Sequence, residues 1–250
     1  SVPHSASGYK RVREILDETV VFNPSLLIMD APDGMGVALE NVSYAFDEHS
    51  PVVLDSVSFR ITAGKTVVIV GATGSGKSTL LAVMAGLLQP SQGRVALSGK
   101  TASIVFQEPF LFSGSIEYNI CLGQQLSKEM IAEALYLSAS DSFVSELANG
   151  TKTMIGERGI SLSGGQRQRI SLARAIAQGA DVLLLDDTTS ALDTVTEAVV
   201  VERLRGASRK VTTVVVASRP STIALADDVL FIEGGKLTDH GPHSALMLSN

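Results

Sequence analysis

The sequence predicts an α/β fold in which helices cover both faces of a parallel sheet and a small antiparallel sheet precedes it. From residue 181 onward, apolar segments of strand length alternate with helical segments, an order typical of parallel strands joined by crossover helices. Between Val37 and Ile61 apolar and polar residues alternate instead, which indicates half-buried antiparallel strands. With 250 residues and 45% hydrophobic composition, the chain is long enough to bury a large core.

Two short segments precede the first predicted strand. Residues 8–18 have the spacing of a short polar helix, and Asn23-Pro24 and the run 31–34 predict a loop after it. The remaining predicted elements, in chain order, are strands over 37–42, 57–61 and 66–71, a helix over 77–88, strands near 94–97 and 103–106, helical structure over 114–148, a helix over 164–178, a strand from 181, a helix over 191–205, a strand from 211, a helix over 221–226 and a strand from 228.

Composition and charge exclude several classes of protein. The formal net charge is −6, because 20 Lys and Arg residues stand against 26 Asp and Glu residues, so we expect no nucleic-acid partner. No segment approaches the roughly 18 uncharged apolar residues of a membrane-spanning helix. No signal-peptide pattern opens the chain, and we therefore expect a soluble unit, whether complete or cut from a longer protein. The single cysteine, Cys121, excludes an internal disulfide, and its apolar neighbours predict a buried, unreactive thiol.

A glycine-rich loop lies between the strand over 66–71 and the helix over 77–88. Residues 71–79 read GATGSGKST, which fits the pattern G-x-x-x-x-G-K-[S/T]. Glycines allow main-chain N–H groups to surround phosphate oxygens, and the helix directs its free amides and positive dipole end at the same anion. We expect Lys77 to reach the terminal phosphates and the Ser78 hydroxyl to bind Mg²⁺. The predicted phosphate-binding residues are Gly71, Gly74, Ser75, Gly76, Lys77, Ser78 and Thr79.

A phosphate-bound metal also needs a carboxylate. The segment 182–187, VLLLDD, is an apolar strand that delivers Asp186 at its carboxyl end, where ligands of parallel sheets bind. An acidic turn at the end of a strand is the alternative interpretation, but together with the glycine loop the sequence favours Asp186 as a magnesium ligand.

The segment 162–166, LSGGQ, resembles the signature of ATP-binding cassette (ABC) proteins. Three further segments follow the order of that family: Gln107 after a strand, IGERG over 155–159, and SALD over 190–193. The resemblance covers about residues 37–248 and is strongest to the nucleotide-binding domain of exporter-type transporters. It implies a RecA-like P-loop ATPase core with an N-terminal antiparallel β subdomain and an inserted helical subdomain over 108–162. Residues 1–36 are similar to the end of the last transmembrane helix and its linker, although an ordinary N-terminal helix is the alternative.

The resemblance implies a head-to-tail dimer in which two Mg-ATP molecules lie between two cassettes. Each ATP would be held by the phosphate loop of one chain and by the signature of the other, here Ser163, Gly164, Gly165 and Gln166. Gln107 would contact the metal and the attacking water and act as a hinge to the helical subdomain. Asp193 would link the two ATP sites, unless it serves only as a charge at a helix N-terminus.

Three further pairs of side chains remain to be assigned. An aromatic residue about 30 positions before Lys77 should stack on adenine, and alignment with the family pattern favours Phe46 over Tyr44, which would then be a core residue. Arg167 and Arg169 flank the signature and are expected to be solvated or to lie on the helix face rather than to bind ligand. His240 and His243 have H-x-x-H spacing, but the segment resembles the family's C-terminal turn rather than a metal site.

Two positions depart from the family pattern, and both belong to the same ATP site. Asp187 stands where the family has the glutamate that orients the attacking water, and Ser218 stands where it has a histidine that contacts the γ-phosphate. A displacement of about 1 Å can lower a rate on the order of 10²-fold, so we expect an ATPase that binds Mg-ATP well but has low activity without its partner. The intact signature would complete an active site on a different cassette, which predicts one half of a heterodimeric exporter.

Two alternatives to this interpretation remain open. Asp187 could support hydrolysis in a homodimeric exporter cassette, or the chain could be a regulatory cassette that binds ATP without useful turnover. A cassette protein acting on DNA or ribosomes is disfavoured, because no coiled coil or second cassette is visible in this acidic chain. The expected partners are a second cassette and transmembrane domains, which would place the chain on the cytoplasmic side of the cell membrane. The sequence does not assign the transported substrate.

Overall fold

A computed structural model describes residues 28–47, 49–156, 160–186, 192–207 and 210–242. Several sequence predictions lie outside these ranges. They are the helix over 8–18, the loop at Asn23-Pro24, residues 157–159 of IGERG, Asp187, the first two residues of SALD (190 and 191) and His243.

The described ranges contain the predicted strands and helices in their predicted order, together with four strands that were not predicted: Ile28–Asp30, Gly114–Ser115, Met154–Ile155 and Lys236–Gly241. The strands are β1 (Ile28–Asp30), β2 (Met35–Tyr44), β3 (Leu54–Thr62), β4 (Thr66–Val70), β5 (Gln92–Leu97), β6 (Ala102–Val105), β7 (Gly114–Ser115), β8 (Met154–Ile155), β9 (Val182–Asp186), β10 (Thr212–Val216), β11 (Asp228–Glu233) and β12 (Lys236–Gly241). The helices are α1 (Lys77–Met84), α2 (Ile116–Cys121), α3 (Lys128–Leu137), α4 (Asp141–Glu146), α5 (Gly164–Ala177), α6 (Thr194–Gly206) and α7 (Pro220–Ala224), with short 3₁₀ turns at Ser98–Lys100 and Gly150–Lys152.

The central sheet has the strand order β12-β11-β4-β10-β9-β6. All neighbouring strands pair in parallel except β11 and β12, which are antiparallel. Every residue of β4 and of β10 is buried, because helices and a second sheet cover the two faces and leave no solvent-facing side. The predicted parallel α/β sheet is therefore confirmed, and the carboxyl ends of β4, β10 and β9 meet at one edge.

The smaller sheet has the order β1-β5-β2-β3. Strands β2 and β3 are antiparallel and so are β2 and β5, as the alternating pattern predicts. Strand β1 pairs in parallel with β5 through Ile28↔Val95 and Asp30↔Leu97. Residues 28–36, which we predicted to belong to a linker, thus include a strand of this sheet and the first residues of β2.

Three apolar clusters hold the layers together. One lies between the two sheets and contains Leu80, Leu81 and Met84 of α1. The second lies on the other face of the central sheet, under α5 and α6, and the third is formed by α2, α3 and α4 together with α5. Helix α5 contributes to the second and third clusters, so it connects the sheet to the helices inserted between β6 and β9.

The region 114–148, predicted to be helical, contains the three helices α2, α3 and α4, and its first two residues form the short strand β7. Leu122 ends α2 in the left-handed conformation with φ 46°, and Ala139 between α3 and α4 has φ 54°. Helices α1 and α7 are also shorter than predicted. Among the described residues, no helix has both the length and the apolar character that crossing a bilayer requires.

Candidate nucleotide-binding site

The glycine-rich loop joins the carboxyl end of β4 to the first residue of α1. Gly76 precedes the helix with φ 101°, and a Cβ there would lie 2.9 Å from the Val53 carbonyl oxygen and 3.0 Å from Leu54 Cδ2. Only glycine fits this position without strain. No side chain caps the N-terminus of α1, so its first-turn amides are available to an anionic ligand.

The Lys77 ammonium lies inside the curve of this loop. Its Nζ donates hydrogen bonds to the carbonyl oxygens of Gly71 and Ala72, each at 2.8 Å, and lies 3.5 Å from Ser75 Oγ. The loop main chain therefore holds the ammonium group beside the N-terminus of α1, where both present positive charge to the same volume.

The predicted magnesium ligands are in direct contact. Ser78 Oγ donates a hydrogen bond of 2.9 Å to Asp186 Oδ1, and the register of the sheet brings Asp186 beside Val216 of the intervening strand β10. Burial raises the pKa of Asp186, while the hydrogen bond from Ser78 and the charge of Lys77 act in the opposite direction.

These oxygen donors suit Mg²⁺, which is typically held by one or two protein oxygens together with substrate phosphates and water. Within the described ranges, no group of three or more His, Cys, Asp or Glu side chains could hold a metal ion by itself. The Ser78–Asp186 pair therefore fits a metal that arrives with a phosphate ligand.

A cavity of about 300 Å³ lies between the loop and the carboxyl end of β10. Gly71, Thr73 and Lys77 line one side, and Val216, Ala217 and Ser218 line the other, with Ile223. The side chain of Ser218 is exposed, so this predicted site residue borders the same space as Lys77. The volume lies at the lower end of the range for small-molecule sites.

Gln107 and the signature are placed by α5. Ser163 caps this helix: its Oγ accepts from the Gln166 amide at 3.2 Å, and its own amide donates to Gln166 Oε1 at 2.9 Å. Gly164 and Gly165 form the first turn. Gln107 follows β6 with an exposed side chain, and its main-chain carbonyl accepts a hydrogen bond of 3.3 Å from Gln168 Nε2.

The two aromatic candidates for adenine stacking occupy different environments. Phe46 is 66% exposed, whereas Tyr44 is 7% exposed and belongs to the core between the sheets. Their ring centroids are 5.2 Å apart and the ring planes are nearly perpendicular, at 82°. Phe46 is thus accessible to a ligand, and its contact with adenine stays a prediction.

Arg167 and Arg169, which were expected to be solvated or to lie on the helix face, differ in exposure: Arg167 is exposed and Arg169 is partly buried. The Nη1 of Arg169 donates to the Ala139 carbonyl at 2.6 Å, and its guanidinium carbon lies 4.6 Å from the centre of the Phe143 ring. Arg167 Nη1 donates to the Leu162 carbonyl at 2.8 Å. Helix α5 lies between two apolar clusters, so several of its polar side chains are enclosed and bind main-chain carbonyls.

The surroundings of Asp193 and of Cys121 shift the pKa of each side chain. Asp193 caps α6 and accepts from the Thr196 amide at 2.9 Å and from the Thr196 hydroxyl at 2.7 Å; these bonds hold its pKa below the usual range. The link of Asp193 to a second ATP site stays a prediction. Cys121 is partly buried, and burial, with a smaller effect from Glu117, raises the pKa of its thiol.

The sequence reasoning missed a network beside Ser218. The buried Glu197 carboxylate accepts hydrogen bonds from Arg219 and from Thr222, and Arg219 Nη1 also donates to the Leu192 carbonyl at 2.8 Å. This network ties the residue after Ser218 to the residue before Asp193. Glu197 precedes the buried Val200, Val201 and Leu204 by three, four and seven positions. An acidic residue at this place on the apolar face of α6 is the sequence signal of the network.

Comparison with known proteins decides the family. The sequence pattern of the family described as ABC transporter matches residues 54–190, which is more than half of the chain. The chain belongs to the ABC transporter family. Its α/β fold is that of the family's P-loop nucleotide-binding domain, and the protein is accordingly an ABC-type ATPase.

The relatives of this ABC cassette are longer proteins. It is 40% identical over 250 residues to the mycobactin import ATP-binding/permease protein IrtB of Mycolicibacterium smegmatis, with 95% of this chain and 43% of the relative covered. It is 35% identical to the multidrug resistance protein pgp-1 of Caenorhabditis elegans, with 97% of this chain and 19% of the relative covered.

A solved structure is similar as well. The structure of a bacterial Atm1-family ABC exporter with ATP bound has a TM-score of 0.79 and 33% sequence identity, and the match covers 88% of this chain and 42% of that chain. The ABC cassette described here thus spans less than half the length of each of these proteins.

Proposed function

We propose that the chain is the ATP-driven motor domain of a membrane transporter with exporter-type architecture. The observation that carries this proposal is the cavity where Lys77, Ser218 and the glycine loop face one another beside the Ser78–Asp186 pair. In this proposal residues 37–248 form the cassette, joined by β1, which pairs with β5 of its smaller sheet. Residues 108–162 form its helical subdomain, and the residues before β1 lead from a transmembrane helix. The relative IrtB is an ATP-binding/permease protein, which supports transmembrane domains as partners of this cassette. The cassette would then lie at the cytoplasmic face of the membrane, where ATP is present.

Different residues of the site bind different parts of Mg-ATP. Lys77 and the loop amides bind the β- and γ-phosphates, Phe46 stacks on adenine, and Ser78 and Asp186 hold Mg²⁺ with the Gln107 side chain. When bound, Mg²⁺ neutralises negative charge on the phosphate oxygens. Asp187 orients the attacking water as a general base, and Ser218 faces the γ-phosphate.

The signature completes the ATP site of a second cassette. The helix N-terminus formed by Ser163, Gly164 and Gly165 would contact the γ-phosphate of an ATP held by that cassette. Because these contacts exist only when two cassettes close, ATP binding favours the closed dimer and hydrolysis favours opening.

A cavity in the helical region supplies a surface for the transmembrane partner. It has a volume of about 330 Å³, and Pro109, Leu111, Ile160 and Arg167 are among its lining residues. Phe110, at its edge, is 66% exposed. Exposed aromatic patches of this kind mark interaction sites, and we propose that this face, with Gln107 as its hinge, transmits the state of the nucleotide to the membrane.

We further propose that this chain's own ATP site is catalytically weak and that its partner is a different cassette. Asp187 keeps the charge of a general base but is one methylene shorter than glutamate. Ser218 lies at the cavity, yet a hydroxyl has neither the reach nor the partial positive charge of an imidazole. Both changes affect hydrolysis, whereas the groups that bind Mg-ATP are retained.

The test compares steady-state ATPase activity of the wild type with Asp187→Glu, Ser218→His and the double variant, each alone and with the candidate partner. We expect weak turnover by the wild type alone and an increase on the order of 10²-fold in the double variant. Asp33→Glu, in an exposed turn, is the matched control and should change nothing.

Two results would contradict parts of this proposal. Brisk hydrolysis by the wild type alone, unchanged in the double variant, would mean that Asp187 suffices and that the cassette is homodimeric. ATP binding without turnover in every combination that includes the partner would instead favour a regulatory cassette. Parallel titrations with Mg-ATP separate loss of binding from loss of hydrolysis.

A further inference from the structure

The side chain of Arg174 reaches from α5 to the segment that follows Gln107. Its three guanidinium nitrogens have three different acceptors: Nε donates to the Asn119 carbonyl at 2.8 Å, Nη1 to the Phe110 carbonyl at 2.8 Å and Nη2 to Asn119 Oδ1 at 3.0 Å. The guanidinium carbon also lies 5.7 Å from the centre of the Phe112 ring. One side chain of α5 thus contacts this segment at several points.

Asn119 extends these contacts through the segment. It is fully buried, its Nδ2 donates to the carbonyls of Phe112 and Ser115 at 2.9 and 3.1 Å, and its Oδ1 accepts from the Phe112 amide at 2.8 Å. The main chain on both sides of Phe112 is therefore bound to a side chain that Arg174 itself holds.

A second residue of α5 binds the beginning of the same segment. Gln168 is 1% exposed, and its Nε2 donates to the Gln107 carbonyl. Helix α5 consequently holds the segment 107–112 near both of its ends, although the segment emerges from β6 of the central sheet. The same helix begins with the signature residue Ser163 at its cap.

We propose that Arg174 is a positioning residue that makes the segment 107–112 and the signature helix move as one body. A partner that binds the exposed rings of Phe110 and Phe112 then acts on the signature, and through it on the nucleotide held by the opposite cassette. This inference rests on the proposed function, in which the signature closes on ATP of a second chain.

The fork geometry explains why arginine is required. A guanidinium group is planar and offers five N–H donors in fixed directions, whereas an ammonium group is a point charge without that geometry. Arg174→Lys therefore retains the positive charge but replaces three donor nitrogens with one, so the three acceptor atoms of Phe110 and Asn119 lose their matched donors. The contacts that join the segment to α5 should loosen while the glycine loop is untouched.

The matched control is Arg203 of α6, which has contacts of the same kind elsewhere in the helical region. Its Nη1 donates to the Tyr136 carbonyl at 2.6 Å and to Asp141 Oδ1 at 2.9 Å, and its guanidinium carbon lies 4.1 Å from the centre of the Tyr136 ring. Arg203→Lys should therefore loosen the packing of α3 on α6 to a similar degree without touching the segment 107–112.

The experiment measures amide hydrogen exchange with and without Mg-ATP on the complex purified through a tag on this chain. The readout is the ATP-dependent change in peptides covering 107–119, because a purely structural loosening raises exchange in both states alike. We expect Mg-ATP to slow exchange there several-fold in the wild type and in Arg203→Lys, and less than twofold in Arg174→Lys. Affinity for Mg-ATP should be the same in all three.

Three results would overturn the inference. They are an unaltered ATP-dependent change in Arg174→Lys, an equal loss in both variants, and the absence of any change in the wild type despite ATP binding. Failure of the wild-type complex to bind Mg-ATP would instead contradict the proposed function, so the two failures are distinguishable.

Discussion

The helices α1 and α5 both begin next to glycines at a predicted phosphate position, but their N-termini are built differently. Helix α1 follows Gly76, and no side chain caps it. Helix α5 follows Ser163, whose capping box with Gln166 satisfies one amide of the helix and one of the cap. Free amides at a helix N-terminus need water or a ligand, whereas capped ones have partners within the chain. The glycine loop is therefore suited to bind a nucleotide by itself. At the signature one helix amide already has a partner in the chain, and the amides of Gly164 and Gly165 are the ones that the proposed contact with a second cassette's nucleotide would use.

The positively charged side chains of the glycine loop and of the signature also differ. Lys77 lies within the glycine loop and borders the cavity. Near the signature, Arg167 and Arg169 donate to main-chain carbonyls of the chain itself. The glycine loop thus combines free amides with a cation that borders the cavity, while Arg167 and Arg169 join the signature helix to Leu162 and Ala139. Substitutions in the glycine loop and in the signature should accordingly have different consequences.

The largest effect should come from Lys77→Ala. Removing a charge that contacts bound phosphate oxygens costs about 2–5 kcal/mol, which corresponds to a loss of affinity for Mg-ATP of about 30-fold to several thousand-fold. Isothermal titration with Mg-ATP measures this loss.

Lys65→Ala is the matched control for Lys77. Lys65 directly precedes β4, at the end of the strand opposite the glycine loop, and its Nζ lies 3.4 Å from Asp227 Oδ1 in a solvent-exposed pair. Its replacement should leave the affinity within twofold of the wild type. Equal affinities of Lys77→Ala and the wild type would mean that the loop is not the nucleotide site.

The glycine loop and the signature were predictable from sequence because their geometry is local. The strand before Gly71, the glycine conformations and the helix beginning at Lys77 follow from adjacent residues. Asp186 was predictable for a related reason, since the carboxyl ends of parallel strands meet at one edge. Ser163 as a cap three residues before Gln166 follows from the capping-box spacing.

The features that sequence did not reveal depend on distant partners. Strand β1 has only three residues and forms by pairing with β5, and β12 forms by pairing with β11. The left-handed residue Ala139 that helps to break the predicted helical run is not glycine, so composition gives no signal for it. The contacts of Arg174 with Phe110 join positions 64 residues apart, and such pairings are set by packing rather than by local pattern.

A smaller effect is expected when the cap of α5 is removed. Ser163→Ala should lower the free energy of unfolding by about 1 kcal/mol, the usual contribution of a serine N-cap. Ser127→Ala is the control, since Ser127 caps α3 in the same way and accepts from the Met130 amide at 3.2 Å. Urea unfolding should give similar losses for both variants, and only Ser163→Ala should weaken ATP-dependent pairing with a second cassette. Equal pairing by the two variants would argue against the signature as a contact for the partner's nucleotide.

The smallest expected effect concerns how the free energy of unfolding depends on pH. Asp186 and Asp193 should contribute to this dependence with opposite signs. Burial raises the pKa of Asp186 in the folded chain, so its folded form binds a proton more readily than its unfolded form. The stability associated with that proton is present below the ordinary pKa of aspartate and is lost as the pH rises through the raised pKa. Asp193 behaves oppositely, because hydrogen bonds from Thr196 lower its pKa and its contribution is lost as the pH falls.

Asparagine at each position removes the titration but retains similar shape and hydrogen-bonding capacity. Without nucleotide, Asp186→Asn should be more stable than the wild type at pH 7, and this gain should shrink as the pH falls through the raised pKa of Asp186. Asp193→Asn should be less stable than the wild type at pH 7, and its deficit should also shrink on acidification. Urea unfolding of the three proteins at several pH values measures both differences against the same background of other titrating groups. A deficit for Asp186→Asn at pH 7 would mean that its carboxylate stabilises the empty site, and the site would then be built for its own hydrogen bonds rather than held ready for a metal.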